Sequence, residues 1–247
     1  MAEYDGKRIV IIGGTTGIGL TTAKYFTDRG ARVLVTGRSK ENLDTAATEL
    51  GTRGIAVRSD TTSMVDIDSL ADRVRAEFGS FDVLFVNAGI TRWVPFEAMD
   101  EATYDELLGI NAKGPYFTVQ RLAPLLVDGG AVVLTTSVVD EKGVPLVSGY
   151  SASKAALRSM ARTLAGELVS RGIRVNAVSP GGTDTGILAK IMSAQEVEKA
   201  EQQLLEHTPM KRSGKPEEVA KAVAFLAFDA TYTTGAELPV DGGYTQL

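Results

Sequence analysis

The sequence contains no cysteine and a single histidine, His207. The absence of cysteine excludes disulfide bonds, thiolate catalysis and cysteine-ligated zinc, and it is consistent with a cytosolic protein. One histidine argues against a multi-histidine metal site and against a Ser-His-Asp triad. We therefore predict no metal site, and we place His207 in a surface or lid segment rather than in catalysis.

Basic clusters and long apolar runs are also lacking. The 247 residues include 26 Lys and Arg against 31 Asp and Glu, and no basic block gives electrostatic support to a nucleic-acid partner. The first residues do not read as a signal peptide, and no apolar stretch is long enough for a membrane span. We expect a cytoplasmic protein without a membrane partner. No linker or repeat divides the chain, so we predict one domain, residues 1–247.

Short apolar runs alternate with stretches of helical periodicity. The predicted strands are 8–12, 32–36, 55–58, 82–86, 131–136, 174–178 and 237–240, and the clearest helices are 21–29, 40–50, 64–78 and 154–169. Strands that are apolar throughout are typical of parallel sheets that are buried on both faces. This order predicts an α/β fold with a doubly wound, mostly parallel sheet of seven strands and helices on both faces.

A glycine-rich segment, residues 13–19, joins the first predicted strand to the first helix. Glycines here let the backbone turn tightly and approach a pyrophosphate, and the helix N-terminus offers free N–H groups to the phosphates. The spacing is Gly-x-x-x-Gly-x-Gly. A glycine cluster alone is a weak signal, but its position between strand and helix favours a dinucleotide site.

Tyr150 and Lys154 lie four positions apart, so on a helix they share one face. A nearby ammonium favours a phenolate, and a tyrosine tuned in this way can exchange a proton with an alcohol oxygen. Ser137 follows an apolar run thirteen residues before Tyr150. The Tyr-x-x-x-Lys pattern occurs often by chance and alone favours a surface pair on an amphipathic helix, so its meaning depends on the rest of the chain.

Taken together, these motifs resemble the short-chain dehydrogenase/reductase family, in its short single-domain form, over nearly the whole chain. The resemblance implies a Rossmann-type fold and an oxidoreductase. One departure is Ile12, which stands where the family usually has a threonine that ties down the loop, so we expect a difference in local rigidity. The matching motifs are the glycine loop, Asn87-Ala88-Gly89, Asn111, Ser137, Tyr150 with Lys154, Pro180-Gly181, and the ending at 234–243.

The resemblance also assigns catalytic roles. Tyr150 would be the general acid in ketone reduction and the general base in alcohol oxidation, and Lys154 would lower its pKa and bind the nicotinamide ribose. Ser137 would donate to the substrate oxygen, and the backbone of Asn111 would hold a water that connects the lysine to solvent. The proline that follows in Gly114-Pro115 is consistent with an interrupted helix near Asn111.

The end of the second strand indicates the cofactor. Gly37 occupies the position of the aspartate of NAD-dependent relatives, and Arg38 and Ser39 follow it, as in NADP-dependent members. We therefore expect NADP(H) to be preferred over NAD(H). The predicted cofactor-binding residues are Gly13, Thr15, Thr16, Gly17, Ile18, Gly19, Arg38, Ser39, Asp60, Thr61, Asn87, Ala88, Gly89, Tyr150, Lys154, Pro180, Gly181, Thr183 and Thr185.

Substrate specificity is expected in three segments: the loop after Gly89, residues 138–148, and a helical lid at about 186–210. The predicted substrate-binding residues are Trp93, Ser137, Val139, Leu146, Tyr150 and Met192. The apolar members could equally serve core or subunit packing.

The favoured function is reduction of a small-molecule ketone or aldehyde, or oxidation of its alcohol. Reduction of 3-oxoacyl groups on a carrier protein is the alternative, but segment 125–130 lacks the basic residues that an acidic carrier requires, and Arg171 alone is weak support. A non-catalytic nucleotide sensor is a third reading. By resemblance we expect a homotetramer, in which Met160, Leu164 and Leu168 face a partner helix or the sheet.

Overall fold

The computed structural model describes residues 2–186, 195 and 206–247. Its strands are β1 (Arg8–Ile12), β2 (Arg32–Gly37), β3 (Gly54–Arg58), β4 (Phe81–Val86), β5 (Leu126–Thr135), β6 (Arg174–Pro180) and β7 (Glu237–Val240). Its described helices are α1 (Gly17–Thr27), α2 (Lys40–Leu50), α3 (Met64–Phe78), α4 (Glu101–Leu108), α5 (Gly114–Leu122), α6 (Ser148–Leu168) and α7 (Pro216–Ala224).

The strands form one seven-stranded sheet in the order β3-β2-β1-β4-β5-β6-β7, and every neighbouring pair is parallel. Side chains alternate between the two faces along each strand. In β1, Ile9 and Ile11 pack against α1, α2 and α7, whereas Val10 and Ile12 pack against α3, α5 and α6. The predicted doubly wound Rossmann-type fold with helices on both faces is confirmed.

Several boundaries differ from the sequence-based expectation. Helix α1 begins at Gly17 rather than at 21, because the glycine loop runs directly into it. Helix α6 begins at Ser148 rather than at 154, which puts Tyr150 in its first turn. Strand β5 begins at Leu126 rather than at 131: Leu126 pairs with Phe81, and the register then shifts before Ala131 pairs with Val83. Residues 126–130 include Asp128 and two glycines, so they do not form an apolar run, and the sequence predicts only the part of the strand from 131 onwards.

A π-helical turn, Gly109–Lys113, separates α4 from α5. The Gly114 N–H donates to the Gly109 carbonyl, one residue further back than in an α-helix. The expected interruption of the helix is therefore present, and it lies at Asn111. Within the described ranges, none of the helices has both the length and the apolar character needed to cross a bilayer.

Candidate active site

The predicted site lies at the carboxyl edge of the sheet, where the chain leaves β1 on one side towards β2 and later returns to β4 on the other. Such a reversal of strand order opens a crevice that takes ligands in open parallel sheets. The glycine loop follows β1, Asn87 follows β4, Ser137 follows β5, and Gly181 follows β6. The topology thus brings the motifs of distant sequence segments to one edge.

The glycine loop is packed so closely that side chains do not fit. Gly13 has φ +74°, and a Cβ placed on it would lie 2.7 Å from the backbone of Ala88. A Cβ on Gly19 would lie 2.1 Å from the Gly13 carbonyl oxygen. The loop is therefore a tight backbone cradle, as a bound pyrophosphate requires.

Hydrogen bonds from neighbouring strands hold this loop despite Ile12. The Gly13 N–H donates to the Thr36 hydroxyl at 3.2 Å, and the Asn87 side-chain amide donates to the Gly13 carbonyl at 3.0 Å. The Ile12 carbonyl accepts the backbone N–H groups of Asn87 and Ala88, both at 2.9 Å. Thr36 and Asn87 tie the loop in this chain, where Ile12 offers no hydroxyl.

The N-terminus of α1 points at the cradle. Its N-cap, Thr16, makes no side-chain capping bond to the residues that the structure describes, and the first turn carries no acidic residue. The N–H groups of this turn, which includes Gly17, Ile18 and Gly19, and the positive end of the helix dipole are thus available to an anion. The residues present fit the diphosphate of a dinucleotide.

The adenosine end of the predicted site contains Arg38, whose side chain is 58% exposed and lies 4.0 Å from the Asp60 carboxylate. Ser39 caps α2 by accepting the Asn42 N–H at 3.4 Å, which leaves its hydroxyl proton free to donate. A Cβ on Gly37 would lie 2.6 Å from the Thr15 hydroxyl oxygen. The position of the aspartate of NAD-dependent relatives is thus closed by Thr15.

Asp60 accepts two hydrogen bonds from Thr62, from the backbone N–H at 2.9 Å and from the hydroxyl at 2.8 Å. Partial burial opposes ionisation, but these bonds and the charges of Arg38 and Arg58 lower the pKa of Asp60. Ser63, not Asp60, caps α3. The carboxylate is therefore available as an acceptor for a base amine.

The remaining predicted cofactor residues also line this edge. Thr61 lies against Gly114 at the start of α5, where a Cβ on the glycine would be 2.6 Å from the Thr61 carbonyl oxygen. Thr185 lies beside Gly17, at 3.4 Å from the Cβ that this glycine lacks. After Pro180, the Gly181 N–H donates to the Val240 carbonyl at 3.1 Å, and the Thr183 hydroxyl donates to the Gly181 carbonyl at 3.1 Å.

Asn111 is fully buried in the π-helical turn. Its side-chain oxygen accepts the Ile90 N–H at 2.8 Å, and its amide donates to the Ile90 carbonyl at 2.9 Å and to the Ser153 hydroxyl at 3.0 Å. Both amide protons and the side-chain oxygen of Asn111 are thus engaged in joining the loop after β4 to α6. This leaves its backbone for the predicted role of holding a water.

Lys154 is only 3% exposed, and its ammonium donates to the Thr135 carbonyl at 2.8 Å. Burial lowers the pKa of Lys154 to about 8, an effect that the negative charge of Asp140 opposes. A Cβ on Gly89 would lie 3.2 Å from both the Lys154 nitrogen and the Asn111 side-chain oxygen. The structure thus brings Gly89, Asn111 and Lys154 into one cluster.

Tyr150 is half-buried, and its phenol lies within hydrogen-bonding range of the Ser137 hydroxyl. Burial raises the pKa of Tyr150; the bond with Ser137 lowers it, and the charge of Asp140 raises it. The expectation that Lys154 lowers this pKa is wrong for these side chains. The Lys154 nitrogen is 5.8 Å from the centre of the Tyr150 ring and is directed at Thr135.

The predicted substrate residues divide into three groups. Ser137 and Tyr150 meet at the sheet edge, and Val139 is half-buried two residues after Ser137. Trp93 and Leu146 are 53% and 47% exposed, and their loops meet where the Val94 N–H donates to the Leu146 carbonyl at 2.8 Å. Met192 and most of the predicted lid, 186–210, lie outside the described residues.

Sequence reasoning missed three residues that hold the site together: Thr36, Thr135 and Ser153. Thr135 acts through its backbone carbonyl, for which the sequence carries no signal. Thr36 could have been found as a hydroxyl at a strand end. Among the described residues, no group of three His, Cys, Asp or Glu side chains is arranged to hold a metal ion.

Comparisons with known proteins agree with this geometry. A family model described as enoyl-(acyl carrier protein) reductase matches residues 13–245. A 3-oxoacyl-[acyl-carrier-protein] reductase of Thermotoga maritima is 38% identical over 249 residues, which cover 98% of each chain. A cis-4-hydroxycyclohexanecarboxylate dehydrogenase of Sinomonas cyclohexanicum is 38% identical over 255 residues, which cover both proteins completely.

A solved structure from Brucella melitensis, described as a short-chain dehydrogenase/reductase of the glucose/ribitol dehydrogenase kind, has a TM-score of 0.92. It is 31% identical, and the match covers 100% of this chain and 99% of that one. The expectation raised by the glycine loop and by Tyr150 with Lys154 is therefore confirmed: the chain belongs to the short-chain dehydrogenase/reductase family, whose members are oxidoreductases that use a nicotinamide cofactor.

Proposed function

We propose that the protein is a single-domain, NADP(H)-dependent oxidoreductase that interconverts a small-molecule ketone or aldehyde with its alcohol. The observation that carries the proposal is the Ser137–Tyr150 pair at the carboxyl edge of the sheet, beside the glycine cradle. These two hydroxyls are the groups needed to bind and protonate a carbonyl oxygen. A bound nicotinamide would supply or accept the hydride.

Tyr150 is the proposed general acid in carbonyl reduction. Its raised pKa keeps the phenol protonated near neutral pH, which is the form that donates to the oxygen as charge develops there. Ser137 donates a second hydrogen bond to the same oxygen. In alcohol oxidation the phenolate is the base, and the positive charge of an oxidised nicotinamide would favour that form.

Lys154 and Asn111 support this proton transfer. The buried Lys154 ammonium retains two protons beyond the one that it donates to Thr135, enough to bind ribose hydroxyls at the nicotinamide end. Asn111 fixes the wall of the site through Ile90 and Ser153, and its backbone is the proposed holder of a water that leads protons from Lys154 to solvent.

The preference for NADP(H) rests on charge and space at the end of β2. Arg38 is exposed enough to reach a 2′-phosphate and pairs only loosely with Asp60. Thr15 excludes a carboxylate at position 37, which an NAD-specific site would use.

The choice of a small substrate rests on the surface charges. Arg171, the cation that could have favoured a carrier protein, donates to the Asp128 carboxylate at 2.9 Å and to the carbonyls of Ala123 and Leu126. It lies near the start of β6, at the amino edge of the sheet and opposite the site. Trp93 and Leu146 instead offer apolar contacts at the site itself. Reduction of 3-oxoacyl groups on a carrier protein remains the second candidate, because the similar Thermotoga protein is named as a reductase of that kind.

We also propose a homotetramer that is assembled through α5 and α6. A groove of about 420 Å³ runs between these helices and is lined by Tyr116, Val119, Leu164 and Leu168, among others. Leu164, Leu168 and Met160 are only partly buried against the core, so they have surface left for a partner helix.

Replacing Tyr150 with Phe should lower kcat for ketone reduction by about 10²–10⁴-fold, because the proton donor is lost. NADPH binding, measured by fluorescence titration, should persist. Tyr232→Phe, which changes a fully exposed tyrosine, is the matched control and should keep full activity. Unchanged turnover in Tyr150→Phe would refute the mechanism.

Replacing Arg38 with Ala should weaken NADPH binding by about 10–150-fold, the equivalent of losing one charge-assisted hydrogen bond. The affinity for NADH should change little. Arg75→Ala is the control, because Arg75 is an exposed arginine in the last turn of α3, away from the carboxyl edge. An equal loss for both cofactors, or a native preference for NADH, would contradict the assignment.

Initial rates of NADPH oxidation over a panel of ketones, diketones and 3-oxoacyl thioesters, with NADH in parallel, would test the substrate class. Turnover of small ketones is the expected result, since the exposed apolar side chains of Trp93 and Leu146 lie in loops that are predicted to bind the substrate. Turnover confined to thioesters would assign the protein to acyl-chain reduction. Inactivity on the whole panel would favour a nucleotide sensor.

Light scattering of the intact protein should give a tetramer mass. Tyr116→Glu should shift this mass downward, because it places a charge in the α5–α6 groove on a side chain that is 42% exposed. Tyr232→Glu, on an exposed residue that does not line this groove, should not. A native monomer would refute the proposed assembly.

A further inference from the structure

A pair of buried carboxyl groups lies beside the proposed site. Asp140 ends the short turn that follows Ser137, and its N–H donates to the Ser137 carbonyl at 3.0 Å. Glu237 is the first residue of β7, and its side chain is 6% exposed. The mechanism above uses neither residue.

The Asp140 carboxylate is short of hydrogen-bond donors. Both of its oxygens are screened from solvent, and no donor in the described part of the chain bonds to either of them. The Glu237 carboxyl is close enough for a side-chain hydrogen bond. Two ionised carboxylates only accept, so a hydrogen bond between Asp140 and Glu237 requires one proton.

The other contacts of Glu237 fit a shared proton. One Glu237 oxygen is in hydrogen-bond contact with the Thr136 hydroxyl, which also lies 3.1 Å from the Val178 carbonyl. The hydroxyl has one proton to divide between these two acceptors, so Glu237 receives at most a shared bond from Thr136 and is short of donors. The other oxygen lies 3.0 Å from Arg158 Nε, so one cation faces two acids.

The acid pair is electrostatically connected to the catalytic residues. The groups that act on Asp140 are Glu237 from β7, Glu141 from its own loop, and Arg158, Tyr150 and Lys154 from α6. Burial, Glu237 and Glu141 raise the pKa of Asp140 to about 7, against the charge of Arg158. The charge of Asp140 in turn raises the pKa of both Tyr150 and Lys154.

We propose that Asp140 and Glu237 share one proton, and that Asp140 is a positioning residue whose ionisation controls the proton that Tyr150 exchanges with the substrate. The coupling to catalysis rests on the proposed role of Tyr150, whereas the shared proton does not. As the pH rises, Asp140 ionises and its charge holds the proton on Tyr150 more strongly. The acid pair thus extends carbonyl reduction to higher pH and opposes alcohol oxidation.

Asp140→Asn tests the coupling. The asparagine amide donates to Glu237 as the proton does, but it cannot ionise. The alkaline limb of the pH profile of kcat/KM for reduction should move to lower pH by about one unit, because the charge that retains the Tyr150 proton is gone. Glu141→Gln is the control, since it removes an exposed carboxylate next in sequence and should move the limb far less. An unmoved limb in Asp140→Asn, or equal movement in both variants, overturns the coupling.

Unfolding temperatures without cofactor test the shared proton independently of activity. The pKa of Asp140 is higher in the folded state than in the unfolded chain, so the native protein binds more protons between about pH 4 and pH 7 and loses stability as the pH rises. The variant lacks this loss. Its unfolding temperature relative to the parent should therefore increase from pH 5 to pH 8, and a constant difference would overturn the shared proton.

If Asp140→Asn does not fold, Glu237→Gln provides a second stability test. It removes the charge of Glu237 but not the burial of Asp140, so its loss of stability with rising pH should be smaller than that of the parent, and an unchanged loss would overturn the shared proton. The two proposals fail in distinguishable ways. Activity that survives Tyr150→Phe refutes the role of Tyr150 and leaves the stability result to decide the shared proton. Loss of activity in Tyr150→Phe, with an unmoved pH profile in Asp140→Asn, refutes only the coupling.

Discussion

The buried ammonium of Lys154 is the interaction on which the site depends. A cation removed from water needs compensating contacts, and here the Thr135 carbonyl at the end of β5 provides one. That contact fixes α6 against the sheet edge, and with it the position of Tyr150 one turn earlier. Gly89 completes the enclosure because it lacks a Cβ, which would lie 3.2 Å from both the ammonium and the Asn111 side-chain oxygen. The position of the proposed proton donor, Tyr150, thus depends on how the fold buries the Lys154 ammonium.

The parts of the fold that follow from local rules could be predicted from the sequence. The strands β1 and β7 and the helices α2 and α3 have the predicted bounds, because apolar runs, helical periodicity and end residues such as Gly51 and Ser63 act within a few positions. The start of β5 was missed because residues 126–130, with Asp128 and two glycines, do not form an apolar run. Their place in the strand depends on the pairing of Leu126 with Phe81, a property of two strands that are far apart in sequence.

For the candidate site, the sequence could indicate which residues to consider, but not the burial and contacts of their side chains. Asn111, Ser137, Tyr150 and Lys154 could be named from their motifs, yet the direction of the Tyr150 pKa was wrong because burial outweighs a lysine that points elsewhere. Asp140 and Glu237 were not singled out, since they are nearly a hundred residues apart and meet only through the sheet. The pKa of Asp140 depends on its burial beside Glu237, which only the folded structure reveals.

The contact between positions 15 and 37 constrains how this chain could evolve. An aspartate at position 37 would collide with the side chain of Thr15, which is itself buried. If Thr15 were first replaced with a smaller residue, that space would open, and an aspartate could then occupy position 37 without the clash. A mutational path to an aspartate at position 37 therefore has a favoured order, and the reverse order passes through an intermediate in which the two side chains clash beside the cradle.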